Sequence, residues 1–151
     1  MARTAADITT AHCQQVAALP WRRDSKGALS VLLVTSRTNA KWMLPKGWPM
    51  PDKDDADAAL QEAKEEAGID GLVSAAPIGS YHFMKLFDDG SIKPAQAVIY
   101  SLHVTEQFSK WSEKDQRQRR WFSPKKAAKV VTEPDLARFL RNLAGDRIVL
   151  T

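Results

Sequence analysis

Three glutamates lie close together in a segment with the composition of a helix. Glu62, Glu65 and Glu66 stand at positions i, i+3 and i+4 of the run DADAALQEAKEEAG. That spacing places the three carboxylates on one face of a helix. Like charges packed so closely destabilise a helix unless a cation neutralises them, and Mg²⁺ prefers oxygen ligands. The pattern therefore predicts metal-dependent hydrolysis of a phosphate ester or phosphoanhydride.

The flanking residues predict where this helix begins and ends. Asp54 or Asp55 is a suitable N-cap, and Gly68 stands where a left-handed residue often ends a helix. Three prolines argue against regular structure over residues 45–53. We therefore expect an irregular polar loop, beginning at Pro45-Lys46-Gly47, that leads into a helix ending near Ala67.

Apolar runs predict the remaining elements of a layered α/β domain. ALSVLLVT over 28–35 and AQAVIYSLHV over 95–104 have the length and composition of buried strands. Further strands are expected at 14–21, 42–44, 121–122 and, in pieces, 72–84, and further helices after caps at Ser123 and Thr132. The mixed order favours one α/β domain over residues 1–151, with a loose leader over about 1–12.

Charge and cysteine content indicate the class of partner and the compartment. The 151 residues carry a net charge of +4 and a pI of about 9.3, which favours an anionic partner. A lone cysteine, Cys13, excludes an intrachain disulfide and favours a reducing compartment. The N-terminus has no apolar signal core, and no segment approaches the roughly 20 apolar residues of a membrane span. We expect a cytoplasmic protein without a membrane partner.

Basic residues give candidate contacts to an anionic substrate. Arg37 follows a buried strand, and Lys46 lies in the loop before the acidic helix. A basic set in the C-terminal half could bind a polyphosphate or RNA; its members are Lys114, Arg117, Arg119, Arg120, Lys125, Lys126 and Lys129. From these we take Arg37, Lys46, Arg119 and Arg120 as substrate-binding candidates.

From Gly47 to Ile69 the chain resembles the Nudix box, written G-x5-E-x7-R-E-U-x-E-E-x-G-U with U aliphatic. The matching positions are Gly47, Glu62, Glu65, Glu66, Gly68 and Ile69. Lys53 stands where the box has its first Glu, and Gln61 where it has an Arg that orients the adjacent Glu. Trp42 to Gly47, read as W-x-x-P-x-G, is similar to the diphosphoinositol-polyphosphate and diadenosine-polyphosphate branch of the family.

The resemblance implies a Nudix-type α/β/α sandwich with a mixed central sheet and a loop-helix-loop catalytic motif. It also implies Mg²⁺ or Mn²⁺ held by Glu62, Glu65, Glu66 and the Gly47 carbonyl. Glu113 or Asp115 is available as a further ligand, and we favour Glu113. Either Glu62 or Glu65 would act as the catalytic base that takes a proton from water.

The implied substrate is a phosphate-rich small molecule, either a dinucleoside polyphosphate or a diphosphoinositol polyphosphate. Removal of pyrophosphate from an RNA 5′ end and cleavage of a nucleoside-diphosphate sugar are alternatives. Because Lys53 and Gln61 depart from the box, a third hypothesis is a domain that binds nucleotides or a partner without turnover. An aromatic pair in the cleft would favour nucleotides, whereas a cleft lined only by Lys and Arg would favour inositol phosphates. The sequence allows a monomer or a homodimer.

Overall fold

One mixed sheet organises the computed structural model, which describes residues 13–150; the predicted leader over 1–12 lies outside it. The strands are β1 Gln14–Arg23, β2 Leu29–Thr35, β3 Trp42–Met43, β4 Lys46–Gly47, β5 Ile69–Val73, β6 Gly79–Leu86, β7 Ile92–Gln107 and β8 Arg119–Phe122. Their main order is β3-β2-β1-β7-β5, with β4 on β1, β6 on β7 and β8 on β2. β1 and β7 run parallel, and the other pairs run antiparallel.

Helices cover both faces of this sheet. They are α1 Asp55–Ala67, α2 Pro124–Val130 and α3 Pro134–Ala144. The alanines of α1 pack on one face with Val16 and Leu102, while α2 and α3 pack on the other with Leu19 and Ile99. The expected α/β/α sandwich with a mixed sheet is therefore confirmed.

The acidic helix has the predicted bounds. Asp54 is its N-cap residue, although the Asp54 side chain makes no capping hydrogen bond. Gly68 ends the helix in the left-handed region, with φ 66°, and its N–H donates to the Lys64 carbonyl 3.1 Å away. Glycine adopts this conformation without the penalty that a Cβ brings, so the chain can turn directly into β5.

Several predicted bounds differ from the structure, and three of these differences have a clear physical reason. Residues 46–47 form the short strand β4, because they pair with Ala17 and Val16 despite the nearby prolines. β7 begins at Ile92 rather than at 95, which is possible because its first residues pair with β6 alone and Pro94 needs no second partner there. Thr132 is wrong as the cap of the last helix: Pro134 takes the first helical position, so Glu133 is the N-cap.

Within residues 13–150, no helix is both long enough and apolar enough to cross a membrane.

Candidate active site

The box glutamates face the loop that precedes α1. Glu66 is only 3% exposed, and its Oε1 accepts a hydrogen bond of 3.3 Å from the backbone N–H of Lys46. The Glu62 carboxylate lies against Gly47, where a Cβ would collide with it. Gly47 is therefore required for close approach of the loop to the helix.

A fourth carboxylate joins this cluster from the loop between β7 and β8. The N–H of Glu113 donates to the Glu65 carbonyl at 3.0 Å, which fixes the loop to α1. Arg117 lies between Glu113 and Glu66, with 2.9 Å from Nε to Glu113 Oε1 and 3.7 Å from Nη2 to Glu66 Oε2. Its Nη1 donates to the Thr35 carbonyl at 2.9 Å. A nearly buried guanidinium thus orders two carboxylates and attaches them to the end of β2.

The two departures from the box differ in consequence. Gln61 Nε2 donates to Glu65 Oε1 at 2.9 Å, so this side chain contacts Glu65 rather than the adjacent Glu62. The resemblance implied a contact with Glu62. Residues four apart lie on the same face of a helix, whereas successive residues point away from each other, so position 61 contacts Glu65 instead. Lys53 is exposed and does not line the cavity beside the carboxylates.

Burial and mutual repulsion shape the ionisation of the cluster. Burial raises the pKa of Glu66 to about 8, opposed by Arg117 and reinforced by Glu62. Burial also raises the pKa of Glu62, with further contributions from the charges of Glu65 and Glu113. The raised pKa values of Glu62 and Glu66 indicate a cluster in which negative charge exceeds the positive charge that Arg117 supplies.

This donor set fits a hard divalent cation. It offers carboxylate oxygens and a nearby carbonyl, the ligands that Mg²⁺ prefers. In the described residues, no three acidic side chains converge on one point. Gln61 donates to Glu65, and Arg117 donates to Glu113.

The cluster forms one wall of a cavity of about 1110 Å³. Cationic side chains on the cavity lining are Arg37, Lys41, Lys46, Lys85 and Arg117, and aromatic ones are Trp42, Trp48, Tyr81, Phe83 and Phe87. The Trp48 and Phe87 ring centroids are 6.4 Å apart at an interplanar angle of 33°. The cavity thus combines acidic, basic and aromatic walls, which suits an anionic ligand with an aromatic part.

Comparison with known proteins gives the family of this chain. The profile of the NUDIX domain matches residues 13–143, which include every element that forms the cavity. The chain belongs to the Nudix family.

Individual Nudix relatives agree with this assignment. Nudix hydrolase 12, mitochondrial, of Arabidopsis thaliana is 30% identical over 135 residues, or 85% of this chain and 66% of that protein. Human diphosphoinositol polyphosphate phosphohydrolase 3-beta is 30% identical over 118 residues, or 75% of this chain and 68% of the relative. The chain spans just under two thirds of the length of the plant protein.

Solved structures share the Nudix fold. A Caenorhabditis elegans Ap4A hydrolase in a binary complex aligns with a TM-score of 0.66 at 20% identity, covering 89% of this chain and 97% of the other.

Seven of the nine site residues predicted from the sequence line this Nudix cavity. They are Arg37, Lys46, Gly47, Glu62, Glu65, Glu66 and Glu113. Arg119 lies elsewhere: its guanidinium donates to the carbonyls of Ala67, Gly68 and Phe108 and stacks 3.8 Å from the Trp111 ring centroid. Arg120 is exposed and lies 5.3 Å from the Trp42 ring centroid. Neither arginine lines the cavity, and Arg119 instead caps the C-terminus of α1.

Sequence reasoning missed several residues of the Nudix cavity. Arg117 was grouped with a general basic surface, although its i to i+4 spacing from Glu113 could have indicated an ion pair. Gln15, Tyr81 and Glu133 carry no local signal, because only the sheet order and the α3 docking bring them together.

Proposed function

We propose that this chain is a Mg²⁺-dependent (or Mn²⁺-dependent) Nudix pyrophosphohydrolase that cleaves a phosphoanhydride bond of a dinucleoside polyphosphate. The observation that carries this proposal is the placement of Glu62, Glu65, Glu66 and Glu113 along one wall of a cavity with cationic and aromatic walls. Metal-dependent phosphoryl chemistry requires such a carboxylate set beside a site that attracts negative oxygens.

The proposed roles follow from position. Glu62, Glu65, Glu66, Glu113 and the Gly47 carbonyl would hold the metal, which neutralises phosphate charge and makes water more acidic when bound. Either Glu62 or Glu65 takes the proton of the attacking water. Lys46 and Arg37 line the same cavity and contact the phosphate chain.

Lys46 is well placed for this contact. Its Nζ lies 4.5 Å from the Phe83 ring centroid, which confines the ammonium to the cavity. Burial, together with the charge of the nearby Lys85, lowers the pKa of Lys46 to about 8. A phosphate would restore the lost solvation of this ammonium, so binding an anion is favourable there.

The aromatic wall favours a nucleoside over an inositol ring. Trp48 is 44% exposed on the metal-site loop, and Phe87 faces it from the hairpin between β6 and β7. Such rings stack on a base, with an energy of about 1–3 kcal/mol per base in single-stranded nucleic acid complexes. A fully phosphorylated inositol ring offers no comparable flat apolar face, so the relatives that act on diphosphoinositol polyphosphates provide the second candidate rather than the first.

A substrate panel tests this proposal. Product release from diadenosine polyphosphates, ADP-ribose, inositol pyrophosphate and triphosphorylated RNA is measured with and without Mg²⁺. We expect the largest kcat/KM with a diadenosine polyphosphate, and a Trp48→Leu variant should raise KM for that substrate while leaving inositol pyrophosphate hydrolysis unchanged. Absence of Mg²⁺-dependent product from every member would instead favour the reading of a nucleotide-binding domain without turnover.

Location and assembly stay predictions. We propose a cytoplasmic protein, monomeric or homodimeric, for which fractionation of the native source and light scattering are the direct measurements. The Arabidopsis thaliana relative is called mitochondrial in its name, and that location is a property of the plant protein.

A further inference from the structure

Two residues that line the cavity each carry a buried polar atom with no hydrogen-bond partner among the described residues. These atoms are Oε1 of Gln15 and the hydroxyl of Tyr81. The side chains belong to residues that are 2% and 1% exposed. An unpaired polar group in such a position costs about 1–3 kcal/mol, so a ligand that pairs both would recover a substantial free energy.

The sheet places these two residues side by side. Gln15 of β1 and Tyr81 of β6 both pair with Ala97 of β7, from its opposite sides. Paired residues point to the same face of a sheet, and the small side chain of Ala97 stands between the other two on that face. We refer to Gln15, Ala97 and Tyr81 as the polar row.

The polar row lies on the opposite side of the sheet from α1. Ala97 and Tyr81 belong to the core on the α3 side, whereas the box carboxylates project from α1 on the other side. One cavity is lined both by the box carboxylates and by Gln15 and Tyr81. A ligand whose phosphates lie beside α1 can therefore extend its other end to the polar row.

The chemistry of the polar row selects a hydrogen-bond donor rather than a phosphate. Gln15 Oε1 only accepts, and phosphate oxygens at neutral pH offer it nothing. Glu133, which also lines the cavity and whose side chain makes no capping hydrogen bond to α3, adds a second acceptor. Burial and the Glu133 charge raise the pKa of Tyr81, so its hydroxyl keeps its proton and can donate. The complementary group carries an O–H or N–H donor beside an acceptor, as ribose hydroxyls and the edge of adenine do.

We propose that Gln15 and Tyr81 form a nucleoside-recognition subsite, which binds a hydroxyl or amino group of the non-reacting nucleoside of the substrate. This inference rests on the proposed function for the presence of a nucleotide but not on turnover. The aromatic pair Trp48 and Phe87 stacks on a base, whereas the polar row binds hydrogen-bond donors. The subsite therefore sets which nucleoside is accepted rather than whether phosphate binds.

Equilibrium binding to the full chain without divalent metal tests the subsite separately from catalysis. Calorimetry with diadenosine tetraphosphate in EDTA is compared for wild type, Gln15→Met and Tyr81→Phe. Each variant should raise Kd about five- to tenfold, the range of one lost hydrogen bond. Inorganic tripolyphosphate, which has no nucleoside, should bind the variants and wild type alike.

Matched variants and analogues identify the cause of any loss. Gln14→Met changes the neighbouring residue, which points to the other face of β1, and Tyr100→Phe changes a buried tyrosine of the opposite core. Both controls should bind like wild type. Diinosine tetraphosphate, which lacks the amino group, and a 2′,3′-dideoxy analogue, which lacks the ribose hydroxyls, distinguish the two donor sources. The analogue that lacks the recognised donor should bind wild type weakly and lose nothing further in the variants.

The melting temperature distinguishes a role of Tyr81 in binding from a purely structural role. Tyr81→Phe removes an unpaired buried hydroxyl, so its melting temperature should equal or exceed that of wild type. Weaker binding by a protein of undiminished stability supports the subsite. Wild-type affinity in both variants, no binding of diadenosine tetraphosphate to wild type, or an equal loss for tripolyphosphate would overturn it. If the binding pattern holds but Mg²⁺ produces no hydrolysis, the proposed function fails and the subsite stands.

Discussion

Arg117 and Glu113 form a nearly buried ion pair, with 2.9 Å between Nε and Oε1 and side-chain exposures of 7% and 19%. The same guanidinium reaches Glu66 at 3.7 Å. The Nudix box normally contains an arginine where this chain has Gln61. Positive charge beside the carboxylates is thus supplied by the loop before β8 instead of by α1. We assign Arg117 as a positioning residue, since its guanidinium contacts the carboxylates of Glu66 and Glu113.

Replacing Arg117 by methionine should destabilise the metal-free protein. The change leaves Glu66 and Glu113 without their cation, and breaking a buried pair in this way costs about 3–5 kcal/mol in the free energy of unfolding. Urea denaturation in EDTA measures it. Arg120→Met, which removes an exposed arginine, should change the free energy of unfolding by only about 0.5 kcal/mol. Equal effects of the two variants would mean that the ion pair does not order the cluster.

A Gln61→Arg variant should raise turnover through Glu65. Gln61 contacts Glu65, and a guanidinium in its place would form a stronger, charge-assisted hydrogen bond to the same carboxylate. In each background, the gain is the ratio of kcat/KM with and without Gln61→Arg. This gain should be absent in Glu65→Gln and retained in Glu62→Gln. The reverse pattern in this double-mutant cycle would show that position 61 acts on Glu62, as in the ordinary box.

The sequence was informative where chemistry depends on local spacing. The helix limits, the glycine at position 68 and the placement of three carboxylates on one face follow from residues within a few turns of each other. Glu113 was found because the family resemblance indicates a carboxylate from that loop. The α/β/α arrangement also follows from the strong strands and the box.

The remaining site depends on contacts between distant parts of the chain. Arg119 was predicted to bind substrate, but the left-handed end of α1 leaves carbonyls that its guanidinium satisfies. Arg117 reaches Thr35 across a sequence separation of 82 residues. Gln15 and Tyr81 become neighbours only through their shared partner Ala97. Such placements follow from sheet order, which a single sequence does not specify.

Metal-free stability should fall as pH rises. Glu66 has a pKa of about 8 in the folded protein and 4.5 as its usual value, so the folded state retains a proton that the unfolded chain loses. The contribution of Glu66 to the free energy of unfolding is therefore complete below about pH 4.5 and is lost as the pH rises through about 8. Melting temperatures across this range in EDTA measure the slope. Glu66→Gln should flatten it, and saturating Mg²⁺ should do the same, because the cation stabilises the ionised carboxylate. A slope that is unaffected by Glu66→Gln would assign the titration to other groups.

Substitution of Arg119 should affect stability, whereas substitution of Lys46 should affect substrate binding. Arg119→Met removes hydrogen bonds to the end of α1 and should lower the free energy of unfolding by about 1–3 kcal/mol without changing KM. Lys46→Met removes a desolvated ammonium from the cavity, so stability should be kept while KM rises about tenfold. Denaturation and steady-state kinetics on both variants provide the comparison. A raised KM in Arg119→Met at full stability would restore its predicted contact with substrate.

The most direct measurement is the Mg²⁺ dependence of diadenosine tetraphosphate hydrolysis by wild type, Glu66→Gln and Glu106→Gln. Glu106 is an exposed glutamate of β7 outside the cavity, so it controls for loss of a carboxylate in general. We predict hydrolysis that requires Mg²⁺, a fall in kcat/KM of about a hundredfold or more in Glu66→Gln, and a nearly unchanged rate in Glu106→Gln. Hydrolysis by Glu66→Gln at the wild-type rate and with the same Mg²⁺ dependence would contradict the assignment of this cluster as the catalytic metal site.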